Sequence, residues 1–163
     1  MGSCLPPPGR LVCPLDAVMT EPNIKRAKVL FLCLGNSCRS PMAEAIARHT
    51  AADVIEASSA GLIALGFVAR PTIRVLADFG YSADGLHSKM LTPDAVQDAD
   101  LVVNMSGRSV MQLAEGKAEV EDWEVGDPFG EDPEVYRRIC EEIERRVKEL
   151  AERFRSNNGM KQV

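Results

Sequence analysis

The segment 33–40, with the sequence CLGNSCRS, contains the side chains best suited to chemistry. Cys33 offers a thiol that can act as a nucleophile, and Arg39 offers a planar fork of N–H donors that matches two phosphate oxygens. Gly35 permits a backbone conformation that a side chain would obstruct, so successive backbone N–H groups can turn toward one anion. The pattern predicts a loop that binds a phosphate-like anion beside a reactive cysteine.

A helix should begin directly after this loop. Ser40 is a favourable N-cap residue, and Pro41 suits the first helical position. The N-terminus of a helix carries a partial positive charge, which favours a bound anion. Together with Arg39, that charge also favours the thiolate form of Cys33. A thiolate that faces a bound phosphate is a nucleophile facing phosphorus.

Short apolar runs alternate with segments of helical periodicity along the chain. The run at 29–32 precedes Gly35 and predicts a strand that is buried on both faces. The following predicted elements are a strand at 54–57, a helix that Pro71 begins and Gly80 ends, a short helix capped by Thr92 and Pro93, a strand at 101–103, a helical stretch around 110–113 and a strand around 123–125.

The last helix has the clearest pattern. Asp132 caps it, Pro133 begins it, and one apolar stripe follows at helical spacing: Val135, Ile139, Ile143, Val147, Leu150 and Phe154. Alternating strands and helices predict a doubly wound α/β fold, a three-layer sandwich in which helices flank a parallel sheet. Ligands in such folds bind beyond the carboxyl ends of the strands, where the loop after the first strand lies.

Length and composition exclude several classes of protein. The 163 residues suit one domain, which we place at 27–156 between a flexible Pro-rich extension at 1–26 and a tail at 157–163. The net charge of −5 lacks the positive excess that non-specific nucleic-acid binding requires. The chain contains no apolar run of the roughly 18 residues that a membrane helix needs. We therefore expect a cytoplasmic protein without nucleic-acid or membrane partners; the sequence leaves its oligomeric state open.

The chain has five cysteines, and this odd number argues for reduced thiols over a disulfide framework. Cys33 and Cys38 lack the further Cys or His cluster that a metal site would need, so we expect no metal. Cys140 lies beside the apolar stripe of the last helix, where a packing role is expected.

The sequence resembles the low-molecular-weight protein tyrosine phosphatase family across residues 28–155. The resemblance rests on CLGNSCRSPMAEA, on Ser59-Ala60-Gly61, on Ala99-Asp100-Leu101-Val102, and on Asp127-Pro128 before the last helix. It implies a four-stranded parallel sheet, hydrolysis of phosphomonoesters on a protein substrate through a phosphocysteine, and no cofactor.

The resemblance also assigns roles to individual residues. Cys33 would be the nucleophile, Arg39 the phosphate-binding arginine, and Asp127 the general acid and base. Three polar residues would support the loop and the thiolate: Ser40, Ser59 and His87. The substrate-binding set would be Leu34, Gly35, Asn36, Ser37, Cys38, Arg39 and Phe129, in which Asn36 also holds the loop in its strained shape. The family further suggests a reversible disulfide between Cys33 and Cys38.

Departures from the family pattern leave the substrate open. Phe129 is one aromatic residue where many tyrosine-specific members have two, and Ser37 is polar where tyrosine phosphatases often carry an apolar residue. Both features also resemble the protein-arginine phosphatases. Thioredoxin-coupled arsenate reductases share the loop but need a resolving cysteine after the third strand, where this chain has Met105. A phosphate-binding module without turnover is a further alternative.

Overall fold

Four parallel strands form the central sheet of the computed structural model, which describes residues 25–114 and 118–160. The strands are β1 (Ala27–Cys33), β2 (Ile55–Gly61), β3 (Leu101–Asn104) and β4 (Glu119–Asp122), in the spatial order β2-β1-β3-β4. Because all neighbouring pairs are parallel, the carboxyl ends of all four strands lie at one edge of the sheet. The predicted α/β fold is confirmed.

Helices cover both faces of this sheet. The helices α1 (Arg39–Thr50), α2 (Arg70–Asp78) and α4 (Pro133–Met160) pack with Val29 and Phe31 of β1 on one face. The helix α3 (Pro93–Asp98) packs with Leu30 and Leu32 on the other face, near a 3₁₀ helix at Met111–Ala114. Alternate side chains of β1 therefore enter two separate cores, which explains its continuous apolar run.

Two strands differ from their predicted positions. The strand predicted at 54–57 begins at Ile55 and continues to Gly61, and the strand predicted around 123–125 lies earlier, at Glu119–Asp122. β4 is an edge strand without a fully buried residue, so its sequence lacks the apolar run that marks a central strand. The apolar residues that suggested a strand, Trp123 and Val125, follow β4 and are buried in the core.

The helix boundaries agree with most of the sequence signals. α2 has Pro71 in its first turn, and the chain leaves it through Gly80, which has a φ of 81°. α4 begins at Pro133 and continues to Met160, so residues 157–160, which were predicted to lie in a tail, are helical. The domain boundaries stay predictions. None of the described helices is long and apolar enough to cross a membrane. The extension predicted at 1–26 falls, except for residues 25 and 26, outside the described residues.

The buried face of α4 includes more residues than the predicted stripe. Ile143, Val147 and Leu150 of that stripe are buried. Val135, Ile139 and Phe154 are partly exposed, whereas Tyr136 and Cys140, one position to the side, are buried. The contacts of α4 with both α1 and α2 account for this wider face, because two neighbouring helices cover more of its surface than one.

The end of β2 lies directly against the loop that follows β1. A Cβ added to Gly61 would come within 2.8 Å of the Asn36 nitrogen and 2.9 Å of the Leu34 oxygen. Real Cβ atoms do not approach backbone atoms so closely, so Gly61 lets the second strand support the loop at this point.

We expect Gly61→Ala to lower the free energy of unfolding by about 2 kcal/mol, because the loop backbone must move to admit the methyl group. Gly126→Ala is the matched control, since its Cβ would meet Ile139 Cδ1 at an ordinary 3.5 Å, and it should change the stability by less than about 1 kcal/mol. Urea denaturation measures both changes. Equal stabilities of the two variants would contradict this account of the loop's support.

Candidate active site

The loop between β1 and α1 forms the floor of the candidate site. Cys33 is the last residue of β1, and Arg39 is the first residue of α1. Asn36 has a φ of 46°, in the left-handed region that asparagine tolerates better than most residues. Cys33, Asn36, Ser37 and Cys38 are all buried. The sequence therefore folds into a tight, buried turn that begins at Cys33.

The side chain of Asn36 is the centre of the loop's hydrogen-bond network. Its amide nitrogen donates to Ser40 Oγ and to Ser59 Oγ, both at 2.9 Å. Its amide oxygen accepts from the backbone N–H of Lys89 at 2.8 Å. These bonds join α1, β2 and the segment before α3 to a single residue and fix its left-handed conformation. The structure brings Asn36 and Ser59 into one hydrogen-bond network; their role in supporting catalysis stays a prediction.

Ser40 contacts the thiol and does not cap the helix. The predicted N-cap role is wrong, because α1 begins at Arg39 and the N-cap residue is Cys38, which makes no side-chain cap bond. Ser40 Oγ lies 2.9 Å from Cys33 Sγ and already accepts a hydrogen bond from Asn36. Its hydroxyl hydrogen can point to Cys33 Sγ or to the Ala60 backbone oxygen, which is farther away at 3.4 Å.

Arg39 connects the loop to the other strand ends. The side chain is buried, and its Nη1 donates to the backbone oxygens of Met105 at 2.7 Å and Val125 at 3.1 Å. Its Nη2 donates to Asp127 Oδ2 at 2.7 Å. Arg39 Nε and Ser37 Oγ are buried polar atoms without a hydrogen-bond partner in the described part of the chain. Both residues line the same cavity, where the oxygen atoms of an anion would satisfy them.

Asp127 lies at the mouth of this cavity. Its side chain is 46% exposed, although Oδ2 is paired with Arg39. Its Oδ1 accepts a hydrogen bond from the backbone N–H of Phe129 at 3.1 Å, and this bond holds the carboxyl group in place before Pro128. The carboxyl group is therefore fixed beside the guanidinium and still accessible to water.

The cavity has a volume of about 230 Å³. Its lining contains the predicted residues Cys33, Leu34, Gly35, Ser37, Cys38, Arg39, Asp127 and Phe129. The lining also includes two residues that the sequence did not single out, Ile63 and Leu65. Backbone hydrogen bonds from Ile63 to Leu34 at 2.8 Å and from Leu65 to Gly35 at 3.0 Å hold this segment against the loop.

The other two described cysteines have different surroundings from Cys33. Cys38 Sγ lies 3.6 Å from the Tyr136 hydroxyl, and burial raises the pKa of Cys38 above its usual value. Burial also raises the pKa of Cys140, to about 12. Both remain protonated thiols at neutral pH, which agrees with the packing role expected for Cys140. Cys33 and Cys38 are free thiols, and their disulfide stays a prediction.

Comparison with known proteins places this geometry in a family. A family model described as low molecular weight phosphotyrosine protein phosphatase matches residues 28–160. The chain belongs to this family. The predicted resemblance is therefore confirmed across nearly all of the described residues.

Similar members of this fold carry three different named activities. A glutaredoxin arsenate reductase of Synechocystis is 33% identical over 125 residues, which cover 76% of this chain and 95% of that protein. A probable low molecular weight protein-tyrosine-phosphatase of Ralstonia nicotianae is 30% identical over 140 residues, covering 78% and 96%. The structure of an arginine phosphatase from Geobacillus stearothermophilus is similar with a TM-score of 0.72 at 30% identity, covering 80% and 94%.

His87 does not take the supporting position that was predicted for it. In this member of the family it is exposed, and its Nδ1 lies 3.1 Å from the Gly85 oxygen. The next two residues contact the loop instead: Ser88 Oγ donates to the Gly35 oxygen at 3.1 Å, and the Lys89 backbone N–H bonds Asn36. Ser88 therefore makes the contact with the loop, and the adjacent His87 side chain is exposed to solvent.

Glu44 is a site residue that the sequence analysis missed. Its side chain is 2% exposed, and it accepts a hydrogen bond from Ser59, the residue that also contacts Asn36. Arg48 forms an ion pair with one carboxylate oxygen, and Lys89 Nζ lies 3.6 Å from the other. Glu44 thus holds Ser59 in the orientation that accepts the Asn36 amide hydrogen.

The sequence does contain a signal for this residue. Ser40 and Glu44 are four positions apart in a helix, so they lie on the same face of α1. Glu44 is also a charged residue within a helical segment whose first nine residues are all buried.

In the described residues, no group of three or more His, Cys, Asp or Glu side chains could hold a metal ion.

We expect Glu44→Ala to lower the free energy of unfolding by about 3 kcal/mol, because it leaves a buried hydroxyl and a partly buried ammonium group without their partner. Glu149→Ala is the control: its ion pair with Arg145 has side chains that are 61% and 58% exposed, and its loss should change stability by less than about 1 kcal/mol. Urea denaturation of both variants measures the difference. If Glu44→Ala lost no more stability than the control, the supporting role of Glu44 would be contradicted.

Proposed function

We propose that this chain hydrolyses phosphotyrosine in proteins through a phosphocysteine on Cys33, with Asp127 as the general acid and base. The observation that supports this most directly is the convergence of Cys33, Arg39 and Asp127 on one cavity. A nucleophile, an oxyanion-binding cation and a carboxyl group are the minimum apparatus for transferring a phosphoryl group to a thiol and then to water.

Phosphate binding is assigned to Arg39 and the loop backbone. Nη1 and Nη2 of Arg39 already donate hydrogen bonds to Met105, Val125 and Asp127. Nε has no partner in the described residues. A phosphate dianion would accept from Nε and would compete with Asp127 for Nη2. Substrate binding would thereby free the carboxyl group for its role in proton transfer.

In the first step the Cys33 thiolate attacks phosphorus and forms an S–P bond. The bond from phosphorus to the phenolic oxygen breaks, and the electron pair of that bond stays on the oxygen. Asp127 donates its proton to this oxygen, so a neutral phenol leaves in place of a phenoxide. Arg39 and the loop N–H groups stabilise the equatorial oxygens of the transition state.

In the second step water hydrolyses the phosphocysteine. Asp127, now a carboxylate, takes a proton from the water as its oxygen attacks phosphorus. The S–P bond breaks, and its electron pair returns to sulfur to regenerate the thiolate. The Ser40 hydroxyl, 2.9 Å from Cys33 Sγ, donates to that negative sulfur and makes it a better leaving group.

The rim of the cavity favours an aromatic substrate. Phe129, Ile63 and Leu65 are 51%, 55% and 43% exposed, which is high for large apolar side chains. A phenyl ring between them would remove apolar surface from water. Many tyrosine-specific members have a second aromatic residue after Asp127-Pro128. In this chain Ile63 and Leu65, in the segment that follows β2, would form the second apolar wall in its place.

Phosphoarginine is the second candidate substrate, and Ser37 is the observation that favours it. Its buried hydroxyl has no hydrogen-bond partner in the described residues, and it lines the cavity beside Arg39. A hydroxyl at this position can hydrogen-bond a guanidinium, whereas it gains nothing from a phenyl ring. The similar structure named an arginine phosphatase adds weight to this alternative.

Arsenate reduction has less support in this chain, although several similar proteins carry that name. Thioredoxin-coupled arsenate reductases, as the sequence comparison above describes them, need a resolving thiol after the third strand. The sequence has no cysteine between Cys38 and Cys140, and Met105, at the expected position, is buried.

We expect Cys33→Ser to reduce hydrolysis of p-nitrophenyl phosphate at least about 1,000-fold, since the hydroxyl is a far weaker nucleophile. Asp127→Asn should reduce kcat about 100-fold and show a burst of p-nitrophenol. The burst is expected because this leaving group needs little protonation, so the first step continues while hydrolysis of the intermediate slows. Rapid-quench kinetics measure both phases.

The matched control is Glu131→Gln, which makes the same carboxylate-to-amide change at an exposed position outside the cavity lining. It should leave kcat and KM unchanged. Turnover by Cys33→Ser at the wild-type rate would rule out the phosphocysteine, and a burst-free Asp127→Asn with normal kcat would remove Asp127 from the mechanism.

We expect Leu65→Ala to lower kcat/KM for a phosphotyrosine peptide about tenfold, because it removes part of the apolar wall. Hydrolysis of a phosphoarginine peptide of the same sequence should change less. The control is Ile73→Ala, which truncates an apolar side chain of matched exposure (44%, against 43% for Leu65) on α2. A wild-type kcat/KM that is higher for phosphoarginine than for phosphotyrosine would overturn the choice between the two substrates.

A further inference from the structure

A second cavity lies between α2 and the first turns of α4, outside the site described above. Its volume is about 320 Å³. Six of its lining residues are polar: Arg70, Arg74, Asp78, Glu134, Tyr136 and Arg137. Three guanidinium groups therefore border one cavity of a protein whose net charge is −5.

The charges around this cavity do not cancel. Arg137 forms an ion pair with Asp78 at 3.2 Å, and its guanidinium lies 5.5 Å from the centroid of the Phe79 ring. Arg70 and Arg74 form no ion pair or side-chain hydrogen bond with any residue in the described ranges. They are four positions apart on α2, so they lie on one face of the helix with about 6 Å between their Cβ atoms. Only Glu134 opposes these two charges within the lining.

The cavity adjoins the catalytic loop. Arg70 directly follows Ala69, whose backbone N–H bonds the Ser37 oxygen at 3.0 Å. On the other side, the hydroxyl of Tyr136, which lines the cavity, lies 3.6 Å from Cys38 Sγ. An extended peptide advances about 3.3 Å per residue. A substrate with its phosphorylated residue over Cys33 would therefore reach the arginines with residues a few positions away.

We propose that this arginine-lined cavity binds an acidic segment flanking the phosphorylated residue of the protein substrate. The proposal rests on the phosphatase function proposed above and adds its preferred sequence context. Guanidinium groups bind carboxylates through paired N–H···O bonds, and the spacing of Arg70 and Arg74 suits two carboxylates of one chain. Exposed positive charges beside a reaction site also raise the association rate of negatively charged partners.

Kinetics on two matched peptides test the proposal. One peptide carries phosphotyrosine flanked by three Glu residues on each side, and the other carries Gln at the same positions. We expect kcat/KM to be about fivefold higher for the Glu peptide at low salt, and the difference to shrink at about 0.5 M salt because the charges are screened. The expected effect is on KM, with kcat unchanged.

Arg74→Glu should abolish or reverse the preference for the Glu peptide. The matched control is Arg138→Glu, which makes the same charge change at an exposed position of α4 that does not line the cavity. The control should retain the preference, and both variants should hydrolyse p-nitrophenyl phosphate at the wild-type rate. The double variant Arg70→Gln, Arg74→Gln removes the charges without adding repulsion, and should make the two peptides equal.

The results separate this proposal from the proposed function. Equal kcat/KM for the two peptides in the wild type, or an unchanged preference in Arg74→Glu, would overturn the docking site and leave the phosphatase intact. If no phosphotyrosine peptide is hydrolysed, the proposed function fails, and fluorescence anisotropy of the same labelled peptides with Cys33→Ser decides the docking question. Tighter binding of the Glu peptide that Arg74→Glu removes would support the site; equal binding would overturn it.

Discussion

The hydrogen bonds of the Asn36 side chain are the interaction on which the site depends. A left-handed conformation is unfavourable for a residue with a Cβ, and here it is held by bonds to Ser40, Ser59 and the Lys89 backbone. These three partners come from separate segments of the chain. The loop therefore takes its shape only when β2 and the segment before α3 are in place, which couples the chemistry of Cys33 to the folding of the whole domain.

The three described cysteines are all buried, but their surroundings differ. Burial raises the pKa of the Cys38 and Cys140 thiols, although the Tyr136 hydroxyl opposes this rise at Cys38. Cys33 lies 2.9 Å from the Ser40 hydroxyl, at the start of the loop that leads into α1. In a protein with a net charge of −5, arginine side chains line two neighbouring cavities: Arg39 lines the first, and Arg70, Arg74 and Arg137 line the second. This arrangement suits a substrate that carries a phosphate and further acidic groups.

Residues that are close in sequence were predicted well, and residues brought together by the fold were not. β1, the loop and α4 follow from local patterns that the structure confirms. Local propensity predicted that Ser40 caps α1, which the structure contradicts, whereas the family resemblance predicted its place beside the Cys33 sulfur. His87 was placed at the loop by resemblance alone, whereas in the structure Ser88 and the Lys89 backbone make these contacts. Glu44 was missed because its helical spacing from Ser40 indicates a shared face of α1 but not the partners of the carboxylate, Ser59 and Lys89.

The sequence by itself determined the α/β fold and singled out Cys33, Arg39 and Asp127 as candidate site residues. Each of these lies within a short motif whose chemistry depends on residue type and spacing. Only the tertiary structure decided which residues hydrogen-bond the loop. It also placed Ile63 and Leu65 in the lining of the cavity, and Arg70 and Arg74 in the lining of a second cavity beside the site. These features join segments that are distant in the chain. Parallel strand pairing and helix packing set their distances, and neither leaves a mark in the local sequence.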